Sequence, residues 1–155
     1  QYISEHQNPM TLVLAGKVED DITLPDTKHI KYLGFVDEEQ KNIWMSGATA
    51  LVNLSPLESL SMIVLEAMYL KKPLILNRHC EVFLEYSQKV ETIKLVENQK
   101  EFLQVLHSFS ERKPLFSESQ LQQAKEWVKN NYSWDSVMQS YQKILNQQNT
   151  RDAPI

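Results

Sequence analysis

Apolar residues fall along this chain in short unbroken runs, separated by stretches with helical spacing. Gln1 to Gln7 carry few apolar positions and stop at Asn8-Pro9, so they read as the last turns of a helix begun outside the chain. Thr11-Leu12-Val13-Leu14-Ala15-Gly16 is a continuous apolar run closed by glycine, a strand expected to be covered on both faces. Val18 to Lys28 is a polar loop, and His29 to Gly34 a second strand. Asp37 caps a helix to about Ser46, with Glu38 and Glu39 favourably placed in its first turn. Ala50 to Ser55 is a third strand, broken at Ser55-Pro56. Ser61 to Leu70, with Ile63, Ala67 and Leu70 on one side, is a helix packed on the sheet. Pro73 to Leu76 and Glu91 to Val96 are two further strands, and Glu101 to Phe109 and Gln120 to Asn130 amphipathic helices. Ser133 caps a last helix from Trp134 to about Asn146, followed by a polar tail over 147–155.

Short apolar strands alternating with helices predict an α/β fold, a Rossmann-like doubly wound parallel sheet with right-handed crossovers, as one domain over residues 1–146. In such a sheet ligands sit beyond the carboxyl ends of the strands. The loops at that edge hold Gly16, Gly34, Ser55 to Ser61, and Asn77 to Glu85.

Composition narrows the function classes. The chain is 42% hydrophobic and 23% charged, which argues for a packed globular domain and against disorder. A net charge of −4 supplies no basic field for nucleic acid. No apolar run approaches the roughly 20 residues needed to span a bilayer. One cysteine, Cys80, excludes an internal disulfide and suits a reducing, cytoplasmic setting. The chain opens on Gln1, which points to a fragment. His6, His29 and His107 share no ligand spacing, and Glu19-Asp20-Asp21 reads as a solvated loop, so no metal is expected. Ser55, Ser59 and Ser61 lack a matching His-Asp set, so covalent catalysis is unsupported. Trp44, Trp127 and Trp134 lie on helices with apolar neighbours, which favours core or interdomain packing over sugar stacking.

One stretch carries chemistry: Ser55-Pro56-Leu57-Glu58-Ser59-Leu60-Ser61-Met62-Ile63-Val64-Leu65-Glu66-Ala67-Met68. Glu58 and Glu66 flank a helix N-terminus, a natural phosphate site. Eight helical residues span about 12 Å, comparable to the reach from a ribose across a diphosphate to a sugar. Carboxylates accept several hydrogen bonds from a polyol but repel phosphate, so each must lie beside the diphosphate.

This stretch resembles the Glu-x7-Glu motif of glycosyltransferase family 4 (group 1). Lys72-Pro73-Leu74-Ile75, Leu12 to Gly16, Tyr32-Leu33-Gly34-Phe35-Val36 and Asn131-Tyr132-Ser133-Trp134 resemble other segments of that family, in the same order. The resemblance implies the C-terminal, nucleotide-sugar-binding domain of a retaining GT-B enzyme, acting in polysaccharide or glycoconjugate synthesis. It implies that Glu58 meets the transferred sugar and diphosphate as the catalytic carboxylate, and that Glu66 binds ribose hydroxyls. Gly34, Phe35 and Val36 would meet the base with their backbone, while Ser59, Leu60, Ser61 and Met62 would meet the diphosphate and sugar. Gly16 belongs to the same donor site. The substrate is a nucleoside-diphosphate sugar, with no other cofactor and no metal. The acceptor-binding N-terminal domain would be a separate, missing partner, leaving this fragment inactive alone. The resemblance is also compatible with peripheral membrane contact of the parent enzyme.

The chain departs from the family pattern in two loops. Ser59-Leu60-Ser61 stands where the family often has Gly-Phe-Gly, which makes this loop stiffer. Asn77-Arg78-His79-Cys80-Glu81 replaces a Gly-rich turn and Pro-Glu. Arg78 and His79 there are candidate phosphate contacts, set against plain loop residues. The family's first strand would precede Gln1, in a slot between the first and third strands named above. Direct closure of that slot is expected, with strands ordered second, first, third, fourth, fifth. Rival readings are a GT-B epimerase and a non-catalytic flavodoxin-like interaction domain; a phosphorylase is disfavoured because no cofactor-lysine segment is visible.

Overall fold

The computed structural model describes residues 10–18, 22–111 and 114–151, with side chains to residue 146. The expected helix end at Gln1 to Gln7 and the acidic run Glu19-Asp20-Asp21 lie outside the described residues. In chain order the elements are β1 (Leu12–Leu14), β2 (Ile30–Tyr32), α1 (Glu38–Gly47), β3 (Leu51–Asn53), α2 (Met62–Tyr69), β4 (Leu74–Asn77), α3 (Glu81–Ser87), β5 (Ile93–Val96), α4 (Gln99–Ser110), α5 (Glu118–Tyr132) and α6 (Trp134–Arg151). The alternation of parallel strands and helices is the Rossmann-like α/β arrangement expected from the pattern.

Local signals set the helix starts. Asp37 Oδ1 accepts the Gln40 N–H at 2.8 Å, and Asn98 Oδ1 that of Glu101 at 3.0 Å. Ser117 and Gln120 form a reciprocal capping box at α5, and Ser133 Oγ accepts the Ser136 N–H at the start of α6. The last helix continues to Arg151, past the expected end at Asn146. Helix α3 was not foreseen; it forms inside what the pattern presents as a loop.

The core lies where α2 and α5 meet the sheet. Val64, Leu65, Ala67 and Met68 of α2 are buried with Leu74, Ile75 and Leu76 of β4, and with Phe83, Ala124 and Val128. Trp127 packs on this core, as expected. Trp134 does not: it is 82% exposed, on an α6 face that also exposes Met138, Tyr141, Ile144 and Leu145. Trp44 is partly exposed, with the Lys31 ammonium 4.5 Å from its ring centroid.

The strands do not form one sheet. β1 pairs with β2 in parallel, Leu12 opposite Ile30. β3, β4 and β5 form a separate parallel sheet in that order. The expected direct pairing of β1 with β3 is therefore corrected: among the described residues no strand ladder joins β1 to β3. So is the expectation that the first strand is covered on both faces, since Leu12 is 40% exposed. The physical reason lies in α1, the helix joining the two sheets. Closure would draw the β1–β2 pair across by about one strand spacing, about 4.8 Å, relative to α1. That helix is pinned to the larger body by buried Met45, by Lys72 Nζ donating to the Ser46 carbonyl at 2.5 Å, and by a Lys41–Glu66 ion pair at 2.7 Å. On the other side it holds β2 through Lys31 and Trp44. Loop-closure entropy does not resist the shift; losing these contacts does.

Stability should be concentrated accordingly. Phe83→Ala, at a fully buried ring, is expected to cost about 3–5 kcal/mol. Leu12→Ala, on the exposed strand, should cost under about 1 kcal/mol in urea unfolding. Equal losses would contradict the division into a packed body and an exposed strand pair.

Candidate functional site

At the carboxyl end of β3 the chain must turn into α2 without glycine. The side chain of Asn53 organises that turn. Its Oδ1 accepts the Ser55 N–H at 2.9 Å; its Nδ2 donates to Glu58 Oε1 at 3.1 Å and to Ser61 Oγ at 3.2 Å. Glu58 is thereby fixed beside the start of α2, half-buried. The loop is held from two further sides. Asn77 Nδ2, at the end of β4, donates to the Leu54 carbonyl at 2.9 Å, and the Tyr86 hydroxyl donates to the Leu60 carbonyl at 2.5 Å.

Ser61 is the N-cap of α2 but does not cap it. Its hydroxyl is engaged with Asn53, and no side chain bonds the first turn of the helix. The Val64 N–H turns back to the Ser61 carbonyl at 3.0 Å, which leaves the Met62 and Ile63 N–H groups as donors at the positive end of the helix dipole. Ser61 also has φ 53° and ψ 72°, the left-handed conformation that glycine adopts readily and other residues at a cost of about 1–2 kcal/mol. The family resembled in sequence often has glycine here, a residue that takes this conformation without strain. Ser59 and Met62 are exposed, and Leu57 in the same loop is 87% exposed.

Glu66 lies one turn further along α2. Its Oε2, closed off from solvent, faces the Lys41 ammonium at 2.7 Å, and Lys41 also pairs with Glu38 at 2.8 Å. The two carboxylates, Glu38 first and then Glu66, raise the Lys41 pKa above its ordinary value against the opposing effect of burial. Lys41 thus stays a cation at neutral pH, and Glu66 has a fixed counter-charge. The first turn of α1 in this way connects the Val36-Asp37 segment to Glu66.

Gly16 and Gly34 meet at the ends of β1 and β2. The Gly16 N–H donates to the Gly34 carbonyl at 2.8 Å, and the Tyr32 hydroxyl to the Gly16 carbonyl at 2.8 Å. Both glycines have positive φ, 118° and 66°, which explains why each run closes on glycine. Phe35 beside them is 90% exposed, while Val36 is half-buried. Two groups of predicted residues are therefore assembled: Glu58, Ser59, Leu60, Ser61, Met62 and Glu66 on the β3–α2 turn, and Gly16, Gly34, Phe35 and Val36 at the β1–β2 ends. Among the described residues no hydrogen bond joins the two groups directly; α1 mediates between them.

Arg78 and His79 also lie at this edge. The guanidinium donates to the Leu95 carbonyl at 3.4 Å and stands 4.0 and 3.9 Å from Glu97 and Glu101; His79 stands 3.9 Å from Glu97. A cavity of about 500 Å³, bordered by Lys71, Lys72, Pro73 and Phe116, opens at the opposite, amino edge, away from all these residues. Sequence reasoning missed Asn53, Lys41 and Tyr86. The polar Asn53 inside an apolar strand is the one signal that marks any of them; the other two act through long-range contacts.

In parallel α/β domains ligands sit beyond the carboxyl ends of the strands, the edge at which this carboxylate-flanked, uncapped helix start lies. The sequence model of the family described as "Glycosyl transferases group 1" matches residues 1–111, well over half the chain. This chain belongs to the glycosyl transferases group 1 family, and its chemistry is sugar transfer. No match was found among curated proteins. Among the described residues no helix is long and apolar enough to cross a membrane.

The strained N-cap gives a test. Ser61→Gly relieves the backbone but loses the Asn53 contact, whereas Ser61→Ala loses the contact and keeps the strain. Glycine should therefore be more stable than alanine by about 1 kcal/mol, roughly 2–4 °C in Tm. A more stable alanine variant would show that Ser61 is not left-handed.

Proposed function

We propose that this chain is the donor-binding domain of a retaining GT-B glycosyltransferase of family 4, corresponding to the C-terminal half of such an enzyme. The observation that carries the reading is the uncapped start of α2, flanked by Glu58 and Glu66 and preceded by a loop fixed from three sides. A nucleoside-diphosphate sugar fits that arrangement. The diphosphate lies against the first-turn N–H groups, Glu66 accepts from ribose hydroxyls, and Glu58 accepts from the transferred sugar. Backbone of Gly34, Phe35 and Val36 meets the base, with Gly16 closing the same edge.

In this reading the ion pair with Lys41 holds the Glu66 carboxylate in place as an acceptor. The leaving diphosphate gains charge as the glycosidic bond breaks, and the helix terminus stabilises it. No metal enters donor binding in this reading; the helix terminus takes up the diphosphate charge. The acceptor hydroxyl is supplied through a separate acceptor-binding domain, and the chain alone turns over no substrate. A role in polysaccharide or glycoconjugate synthesis, cytoplasmic or at a membrane periphery, accords with such a donor.

NMR titration with UDP-, GDP- and ADP-sugars tests the reading. One of them should shift the amides of Ser59 to Met62 and of Gly34 to Val36 together. Shifts confined to the cavity at Lys71 and Phe116, or none, would overturn it. Glu66→Ala should weaken binding by about 10- to 150-fold, as expected for hydrogen bonds to a charged acceptor worth about 1.5–3 kcal/mol. In the catalytically competent enzyme Glu58→Ala should lower kcat more than it raises KM. Small and equal effects of the two substitutions would favour ordinary surface carboxylates.

A further inference from the structure

Tyr86 lies on α3, 2% exposed, with its ring edge-on to Trp127 and Tyr132 at centroid separations of 5.7 and 6.3 Å. Trp127 and Tyr132 are themselves edge-on at 5.4 Å, so α5 holds the phenol ring on two sides. From this cluster the hydroxyl reaches the Leu60 carbonyl at 2.5 Å. Burial, with the Tyr132 phenol second, pushes the Tyr86 pKa well above its ordinary value. The hydroxyl is therefore protonated, and a donor, at neutral pH.

The peptide unit that joins Leu60 to Ser61 is planar and trans, so its carbonyl and its N–H point in opposite directions. A carbonyl drawn to the buried phenol turns the N–H of Ser61, itself 8% exposed, away from that phenol. No acceptor among the described residues takes that N–H. We propose that Tyr86 is a positioning residue of the donor site: by holding the Leu60 carbonyl inward it aims the Ser61 amide at the diphosphate. This rests on the donor-binding reading above. Tyr86 does not touch the ligand. It supplies, through a side chain, the loop geometry that a glycine-rich loop reaches by conformational freedom.

The test compares the chain with Tyr86→Phe and Trp127→Phe, titrating each with UDP, GDP and ADP by NMR. Tyr86→Phe keeps the ring in its cluster and removes only the hydroxyl. Trp127→Phe weakens the cluster and leaves the Leu60 contact. Tyr86→Phe should move the Ser61 amide resonance and weaken the diphosphate that the unaltered chain binds best by about 2- to 12-fold, the value of one hydrogen bond. Trp127→Phe should lower Tm and leave that affinity unchanged. Equal affinities for the unaltered chain and Tyr86→Phe overturn the positioning role alone. A matching loss in Trp127→Phe assigns the effect to packing and overturns it too. An unaltered chain that binds none of the three diphosphates overturns the donor reading itself, and the role of Tyr86 with it.

Discussion

The side-chain amide of Asn53 holds three parts of one turn at once: the Ser55 N–H, the Glu58 carboxylate and the Ser61 hydroxyl. An amide suits this place because it carries both an acceptor and two donors. A hydrophobic residue there would continue the strand well, yet leave a carboxylate and a hydroxyl without direction. Because Ser61 is held by Asn53, its hydroxyl is withdrawn from the capping position it would otherwise take. An apolar strand that ends in a polar side chain thus decides both where the carboxylate stands and why the following helix begins open.

A second constraint acts at a longer range. Helix α1 belongs to both sheets: Met45 is part of the core, while Trp44 lies beneath Lys31 of β2. Its first turn carries the lysine that faces Glu66. The same anchors that keep the two sheets apart therefore also set the electrostatics at α2. Separation of the sheets and the orientation of Glu66 have a common cause.

Much of this was legible in the sequence because it depends on local order. Unbroken apolar runs marked the strands, and Asp37, Asn98 and Ser117 begin helices through bonds to residues three positions on. The spacing of Glu58 and Glu66 marked the turn. What was not legible depends on distance in sequence. The Lys41–Glu66 pair and the Tyr86–Leu60 bond join positions more than twenty apart and leave no periodic trace. Helix α3 has seven residues, too few to show a period beside its polar start. The run at β1 announced a strand correctly but misled about its cover, because apolar content does not reveal whether a neighbouring strand is in place. The serine at position 61, where the resembled family often has glycine, was visible; that it would adopt a left-handed backbone was not.

The chain's three tryptophans occupy three different environments: Trp127 in the aromatic cluster, Trp44 beside an ammonium, and Trp134 at 82% exposure. Indole emission shifts with the polarity around the ring, so the molecule carries three built-in optical labels that report separate regions. Trp127 reads the tightness of the packing behind the β3–α2 turn, Trp44 the junction of the two sheets, and Trp134 the surface of the last helix. Light from the intact protein is thus a sum of these signals, and a change in one colour component localises a disturbance without any added dye.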